Sequence, residues 1–397
     1  MSPVEPVEYV VAPSLHRPAV HLSADRRTLN ELGDVLDALD FLAHDLANRP
    51  TQDGLPARWV GFLNYDLAHR FERLPHRAAE DTPLPLLVFG RCGVEAPAVP
   101  PSTGPDVLPA ADCAAPGDAL TAVASNFTRS GFEAAVARAI EYVHAGDVFQ
   151  VNLAQRLTLP CPDPPATVYR RLLTHYPAWY GALLELPAWL PGCETVRAVV
   201  SNSPELFLHV DRGGTVTSRP IKGTRPRLPG MEQALRSSVK DQAELNMIVD
   251  LLRNDLGRVC RVGSVRVPEP RAIETHPTVY HGVSTITGQL KPDVGLGRLL
   301  AATFPCGSVT GAPKIRAMEI IDELEPHRRG VYCGSVGYVD ARGEWQFNVA
   351  IRTMTLTSTH AHVFVGGGIV ADSVPADEYE ETLVKARAML AAVRAGG

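Results

Sequence analysis

Lysine is the residue this chain nearly does without. Of its 397 residues only Lys222, Lys240, Lys291, Lys314 and Lys385 carry a primary amine, and arginine supplies the rest of the 38 positive side chains. Arginine stays protonated and lysine need not, so a lysine kept in an arginine-rich turn points to a need for a free amine. Paired cysteines are lacking too. The seven cysteines (92, 113, 161, 193, 260, 306 and 333) are scattered, odd in number and never spaced C-x-x-C, which argues against structural zinc and for a reducing compartment. No stretch is apolar for long enough to span a bilayer, and the opening Met-Ser-Pro-Val-Glu-Pro has no basic region leading into an apolar core; a cytoplasmic protein is expected. Strong charge of either sign is also missing. A net charge of −6 gives no reason to expect a nucleic-acid partner or a membrane surface. The nucleotide phosphate loop is excluded by spacing, because Ala312-Pro313 separates Gly311 from Lys314.

What remains is the composition of a soluble globular enzyme, 45% hydrophobic and 21% charged, with room for a large core. Val7 to Ala12 and Trp59 to Asn64 read as strands, with helical periodicity over Leu29 to Leu46 between them. The stretch 93–124, dense in proline, alanine and glycine, is expected to be a linker or long surface loop, dividing an N-terminal part (1–92) from a catalytic part (125–397). Ser130 to Glu133 fits a capping box that opens a helix over 130–145. A strand then runs from Val148 to Leu159 and carries Gln150, Asn152 and Gln155. Ala198 to Val210 and Gly214 to Pro220 read as two strands joined by a turn.

The residues that could carry chemistry lie in the second part. Ser218 to Arg227 reads Ser-Arg-Pro-Ile-Lys-Gly-Thr-Arg-Pro-Arg, a rigid turn by its prolines, with Gly223 allowing close approach to a ligand. Arg219, Arg225 and Arg227 crowd positive charge around Lys222 and are expected to lower its pKa and make it a nucleophile; a solvated basic loop is the alternative. On a helix over about 240–256, Glu244 shares an arc with Met247, Ile248, Leu251, Leu252 and Leu256. A carboxylate there needs a cation, either a metal ion or an arginine. Phe304 to Lys314 is a glycine-rich turn leading into a helix, a place for an anionic group. Gly366, Gly367 and Gly368 follow a strand and could converge their N–H groups on an anion, or form a flexible bulge. On the last helix, about 376–394, Glu378, Glu381 and Lys385 share a face, either as surface ion pairs or, with Glu244, as a two-helix Mg²⁺ site.

Together these stretches resemble the chorismate-utilising enzymes, the family of anthranilate, aminodeoxychorismate, isochorismate and salicylate synthases. The resemblance covers at least Phe132 to Ala388, through Gly146 to Gln150, Ser203-Pro204-Glu205, Pro220 to Arg225, Asp241 to Asp255, His281, Phe304 to Glu319, Tyr332 to Tyr338, Ile351-Arg352-Thr353 and Gly366 to Lys385. Isochorismate and salicylate synthases place a water-activating lysine where this chain has Gln150. Anthranilate synthases usually have alanine at the position of Lys222. The aminodeoxychorismate branch has Pro-Ile-Lys-Gly-Thr and uses that lysine amine at C2 of chorismate, and Asn64 to Glu72 also looks like that branch. One departure is Cys306, where alanine or glycine is expected.

The resemblance implies an α+β fold, a large antiparallel β-sandwich with helices packed outside. It implies catalysis by Lys222 as nucleophile and Glu205 as general acid, with Mg²⁺ held by Glu244, Glu378 and Glu381. Substrate contacts fall to Gln150, Thr224, His281, Thr310, Tyr338, Arg352, Gly366, Gly367, Gly368 and Lys385. The implied product is 4-amino-4-deoxychorismate, formed from chorismate and ammonia for p-aminobenzoate and folate synthesis. With no glutaminase triad recognisable in the chain, a separate glutamine amidotransferase subunit is the implied source of ammonia. An anthranilate synthase and a non-catalytic chorismate- or tryptophan-binding relative are the alternatives; His21 to Asp25 lies where the family's tryptophan pocket would be.

Overall fold

The computed structural model describes residues 5–93, 123–276 and 279–394; the expected 93–124 linker, apart from its ends, lies outside the described residues. Two antiparallel sheets organise the chain. The larger has 13 strands, with a main path running Ile221–Pro226, Val279–Gln289, Thr215–Arg219, Leu206–Val210, Trp345–Asn348, Ser335–Asp340, Leu55–Leu63, Leu87–Gly93, Glu8–Ala12, Val20–Ser23 and Thr28–Glu31. The smaller has seven, ordered Gly311–Ala312, Gln150–Pro160, His360–Ile369, Thr353–Thr357, Val196–Ser203 and Tyr180–Glu185, with Ala124–Ser125 added on Gln150–Pro160. Because side chains alternate along each strand, each sheet has one face to bury inward and one to cover. Tyr9, Val11, Phe62, Val88 and Val336 of the large sheet meet Val196 and Val199 of the small one in a shared inner core. Helices Val35–Asn48, Val239–Val259 and Leu296–Thr303 cover the outer face of the large sheet. Pro165–His175 and Pro375–Arg394 cover that of the small sheet, and Arg129–His144 and Lys314–Leu324 close a further core beside them. The expected sandwich with helices outside is thus observed.

Several local expectations change. Leu29 to Leu46 is not one helix: Thr28–Glu31 is an exposed edge strand, and the helix begins after Asp34, which caps it by accepting from the Leu36 and Asp37 N–H groups. Apolar residues at helical spacing did not betray the edge strand, since its four side chains bury nothing. The helix Arg129–His144 is capped by Thr128, whose hydroxyl accepts from Gly131 N at 3.0 Å, rather than by Ser130. Ala198 to Val210 is two strands in different sheets, because the chain crosses over at Pro204-Glu205. The stretch from Gln346 to Leu356 does the same between Asn348 and Thr353. Six cysteines are described, and all are buried and unbridged. Among the described residues no helix is long and apolar enough to cross a membrane.

One buried ion pair ties these layers together. Arg329 and Glu325 are almost fully buried and meet at 2.6 Å, while the guanidinium also donates to the carbonyls of Val309 at 3.0 Å and Asn152 at 2.9 Å. Breaking such a pair from one side leaves a charge without compensation. Arg329→Met is therefore expected to cost about 3–5 kcal/mol, read from the urea midpoint; a change below about 1 kcal/mol would mean water replaces the lost contacts.

Candidate active site

The two crossovers lie side by side and deliver two charged residues to one place. Ser203 Oγ donates to Val349 O at 2.6 Å, and Val349 N donates to Glu205 O at 3.0 Å, so the chain that carries Glu205 is locked to the chain that carries Arg352. Glu205 is buried, and its Oε1 has no hydrogen-bond partner among the described residues. Burial pushes its pKa up to about 7, against the pull of the Ser308 hydroxyl, Lys222, the Ile221 N–H and Arg352. A carboxyl in that range keeps a proton to give at neutral pH. Arg352 takes a left-handed backbone, φ 48°, a conformation rare for a side chain of its size. Burial pulls its pKa down, and no described residue pairs with its guanidinium. An unpaired, desolvated guanidinium suits a ligand carboxylate.

Lys222 arrives from the edge of the large sheet. Instead of a rigid turn, its segment is the strand Ile221–Pro226, bulged between Ile221 and Thr224 with Gly223 at φ 80°. A Cβ on Gly223 would come within 2.7 Å of Leu235 and 2.8 Å of Asp241, so glycine is what lets the strand press against the helix start. The amine has no described hydrogen-bond or ion-pair partner. Its pKa is lowered, first by burial and further by Lys385, although Glu244, Glu205 and Glu381 oppose the shift. The neighbouring arginines are not the cause. Arg219 is paired with Glu274, Arg225 with Asp241 at 2.8 Å, and Arg227 is exposed.

The acidic side of the site comes from two helices. Glu244 is partly buried on Val239–Val259 and pairs with no described cation. On Pro375–Arg394, Glu378 Oε1 accepts from Ser373 Oγ at 2.7 Å, and burial together with the nearby Glu381 raises its pKa. Burial works against ionisation of Glu381 as well, but Lys385 at 2.7 Å, with Lys240 and Lys222, outweighs it and holds the pKa below the ordinary value. Gly367 brings this group together. A Cβ there would lie 3.0 Å from Glu378 Oε2, 3.7 Å from Glu381 Oε1 and 3.8 Å from Lys385 Nζ.

A divalent cation fits this donor set by charge and hardness, since Glu244 and Glu378 are partly buried carboxylates without an ion-pair partner among the described residues. Among the described residues, however, no three acidic, histidine or cysteine side chains are drawn into a ligating cluster. Gly367→Ala should leave the fold intact, because the obstructing atoms are side-chain ends. It should raise the Mg²⁺ concentration for half-maximal activity on the order of tenfold; an unchanged Mg²⁺ dependence would place these carboxylates outside the metal site.

The three glycines do not form a converging nest after a strand. They lie within His360–Ile369 and pair with Ala154, Leu153 and Asn152. On the other edge, Thr353–Thr357 pairs only as far as Val363, and past that point Lys385 Nζ donates to Gly366 O at 2.8 Å. Among the described strands none covers this second edge, and such an edge offers backbone N–H groups to a ligand. Gln150 lies over Gly368, whose Cβ would be 2.6 Å from the Gln150 Nε2. The Gln150 amide is fully buried, and both its ends lack partners among the described residues. Thr224 Oγ1 lies 2.9 Å from His281 Nδ1, and burial, with Arg352 and His276 nearby, holds the His281 pKa down at about 3, leaving it neutral.

Two candidates sit elsewhere or are already engaged. Tyr338 is not brought to the cluster: its ring lies under the Arg58 guanidinium at 4.3 Å, in the company of Asp340, Arg342 and Glu344. Thr310 spends its hydroxyl on the carbonyls of Cys306 and Gly307, and so shapes the turn. Lys314, the cation of that glycine-rich segment, is tied to Asp255 Oδ2 at 2.6 Å and Thr303 O at 2.8 Å. Ser308 is the residue the sequence reading passed over, although it stands in the Gly-Ser-Val-Thr run. It leans on Glu205 and lies 3.3 Å from the Cys306 sulfur. Burial lifts the Cys306 pKa to about 12, so the residue that departs from the expected pattern stays a thiol.

Residues 14–391 match the family model described as chorismate binding enzyme. The chain is 42% identical to aminodeoxychorismate synthase component 1 of Klebsiella aerogenes over 351 residues, 83% of this chain and 76% of the relative. It is 39% identical to anthranilate synthase component 1 of Streptomyces coelicolor over 409 residues, 91% of this chain and 78% of that one. The crystal structure of anthranilate synthase component I from Streptococcus pneumoniae superposes with a TM-score of 0.77 at 28% identity, covering 97% of this chain and 90% of that chain.

Proposed function

The chain belongs to the chorismate binding enzymes, and on that premise we propose that it aminates chorismate at C4, giving 4-amino-4-deoxychorismate. The observation that carries this reading is the Lys222 amine: unpaired, shifted toward its neutral form, and within the electrostatic reach of Glu205. The Lys222 lone pair forms a bond to C2, the ring double bonds shift, and the C4–O bond breaks as Glu205 passes its proton to the departing hydroxyl. Ammonia then bonds to C4, the double bonds shift back, and Lys222 leaves C2. No pyruvate is released. Mg²⁺ at Glu244, Glu378 and Glu381 would hold the ring carboxylate and draw electron density from the ring. Arg352 and the open edge at Gly366 to Gly368 would orient the enolpyruvyl carboxylate. Lys385, Gln150 and the Thr224–His281 pair would line the ring. Tyr338 drops out of the proposed contact set, and Thr310 enters it only through the turn it holds.

The reading extends to a cytoplasmic enzyme of p-aminobenzoate and folate synthesis that draws ammonia from a glutamine amidotransferase partner. Support for a partner is the "component 1" in the relatives' names. Incubation with chorismate, Mg²⁺ and an ammonium salt is expected to give 4-amino-4-deoxychorismate with neither pyruvate nor fluorescent anthranilate. Stoichiometric pyruvate and anthranilate would assign the chain to the other reaction of its relatives.

A further inference from the structure

Three aromatic rings stand in a row between solvent and Thr224, and only the innermost, His281, lines the proposed substrate site. Thr224 Oγ1 lies 2.9 Å from its Nδ1. The strand that carries His281, Val279–Gln289, runs between Ile221–Pro226, which bears Lys222, and Arg266–Thr275. The ring of His276 meets that of His281 edge-on, with centroids 4.7 Å apart and planes at 72°. Trp179 in turn lies over His276, at 4.5 Å and 35°. Exposure rises along the row, from 2% at His281 and 7% at His276 to 40% at Trp179, so the row leads outward.

The same row joins the two sheets. His276 closes the turn after Arg266–Thr275, its N–H donating to Val279 O at 2.9 Å, and its Nε2 lies 3.6 Å from Glu274 Oε2, on the carboxylate that Arg219 also holds. Trp179 comes from the small sheet, in the loop between the helix Pro165–His175 and the strand Tyr180–Glu185. That loop is fastened at both ends. Asn202 Nδ2 donates to Tyr176 O at 2.8 Å, and Asn348 Nδ2 donates to Tyr180 O at 2.9 Å. Asn202 and Asn348 stand at the two crossovers that deliver Glu205 and Arg352.

We propose that His276 and Trp179 are positioning residues of the substrate site, stacked in series to hold the His281 imidazole, and with it Thr224, against the ring of bound chorismate. The inference rests on the chorismate site assigned above to Lys222, Thr224 and His281. Neither residue needs to touch the substrate. An imidazole engaged at Nδ1 alone can still tilt about that contact, and a second ring packed against it removes the tilt that would carry Nε2 away from a ligand oxygen. Trp179 does the same for His276. Because its loop is anchored at the crossovers, the row is set in register with the segments that carry Glu205 and Arg352.

The test is steady-state kinetics with ammonium as the nitrogen source, with folding followed by the urea midpoint. His276→Ala and Trp179→Ala should each raise KM for chorismate about 5- to 20-fold while kcat stays within about threefold, since the reacting groups are untouched. His276→Phe and Trp179→Phe keep a ring in the row and should hold KM within about twofold of wild type. Because the two residues act through one path, the double alanine variant should lie within about twofold of His276→Ala alone. Trp179 is 40% exposed, so its alanine variant should fold as wild type does, whatever the cost of His276→Ala. An unchanged KM in Trp179→Ala, or a raised KM that Trp179→Phe shares, would overturn the inference while leaving the proposed amination standing. A wild type that forms no 4-amino-4-deoxychorismate would overturn the proposed amination, and the inference with it.

Discussion

Lys222→Arg is expected to lose about a thousandfold in kcat/KM, or ~4 kcal/mol of transition-state stabilisation, although it preserves the positive charge. Arginine keeps its proton and offers no lone pair to C2. In the native site the amine is desolvated at the edge of the large sheet, away from the paired Arg219 and Arg225, and so is shifted toward the form that can attack. Lys222→Ala should fall nearly as far, with a residual rate where ammonia or water reaches C2 in the vacated space. Steady-state assays with ammonium as the nitrogen source check both. An arginine variant within threefold of wild type, where about 1000-fold is expected, would reduce Lys222 to an electrostatic clamp.

The second large effect concerns Glu205. Glu205→Gln removes the proton given to the leaving hydroxyl and should cost about 10²–10⁴ in kcat. The wild-type rate should fall as pH rises through about 7, where Glu205 gives up its proton, and this alkaline limb should disappear in the variant. The substitution acts on stability with the opposite sign to its effect on rate. The folded pKa of Glu205 lies above its ordinary value of 4.5, so the wild type loses stability as pH climbs from about 4.5 to about 7. Glutamine is exempt from that loss, so the variant should gain up to ~3 kcal/mol relative to wild type by pH 8. A variant that is both inactive and less stable at pH 8 would show that Glu205 is held ionised in the fold.

Motifs made the chemical groups legible in the sequence, but not how they come together. Lys222 stands out in a lysine-poor chain, Glu244 by its helix face, and Glu378, Glu381 and Lys385 by their spacing. The two crossovers were not legible, because no single-sequence pattern says which sheet a strand joins. Yet those crossovers are what place Glu205 beside Arg352. The cause of the lowered Lys222 pKa was misread for a related reason. Arg219 and Arg225 are close in sequence, but Glu274 and Asp241, which neutralise them, come from distant segments. The glycine run is expected from sequence to converge its N–H groups on an anion or to form a bulge; in the fold Gly367 and Gly368 lie inside a paired strand and leave space beside Glu378 and Gln150. Tyr338 fell within a recognisable motif but on the part of its strand that faces Arg58.

The most direct measurement is intact mass after mixing the protein with chorismate and Mg²⁺ in the absence of ammonia. If the Lys222 amine bonds to C2 as the C4 hydroxyl departs, the protein should gain the mass of chorismate less one water, and peptide mapping should place it on the segment containing Pro220 to Thr224. The Lys222→Ala protein should gain nothing. An enzyme that forms 4-amino-4-deoxychorismate at full rate with ammonia, yet never carries this adduct on rapid quench without it, would contradict nucleophilic catalysis by Lys222.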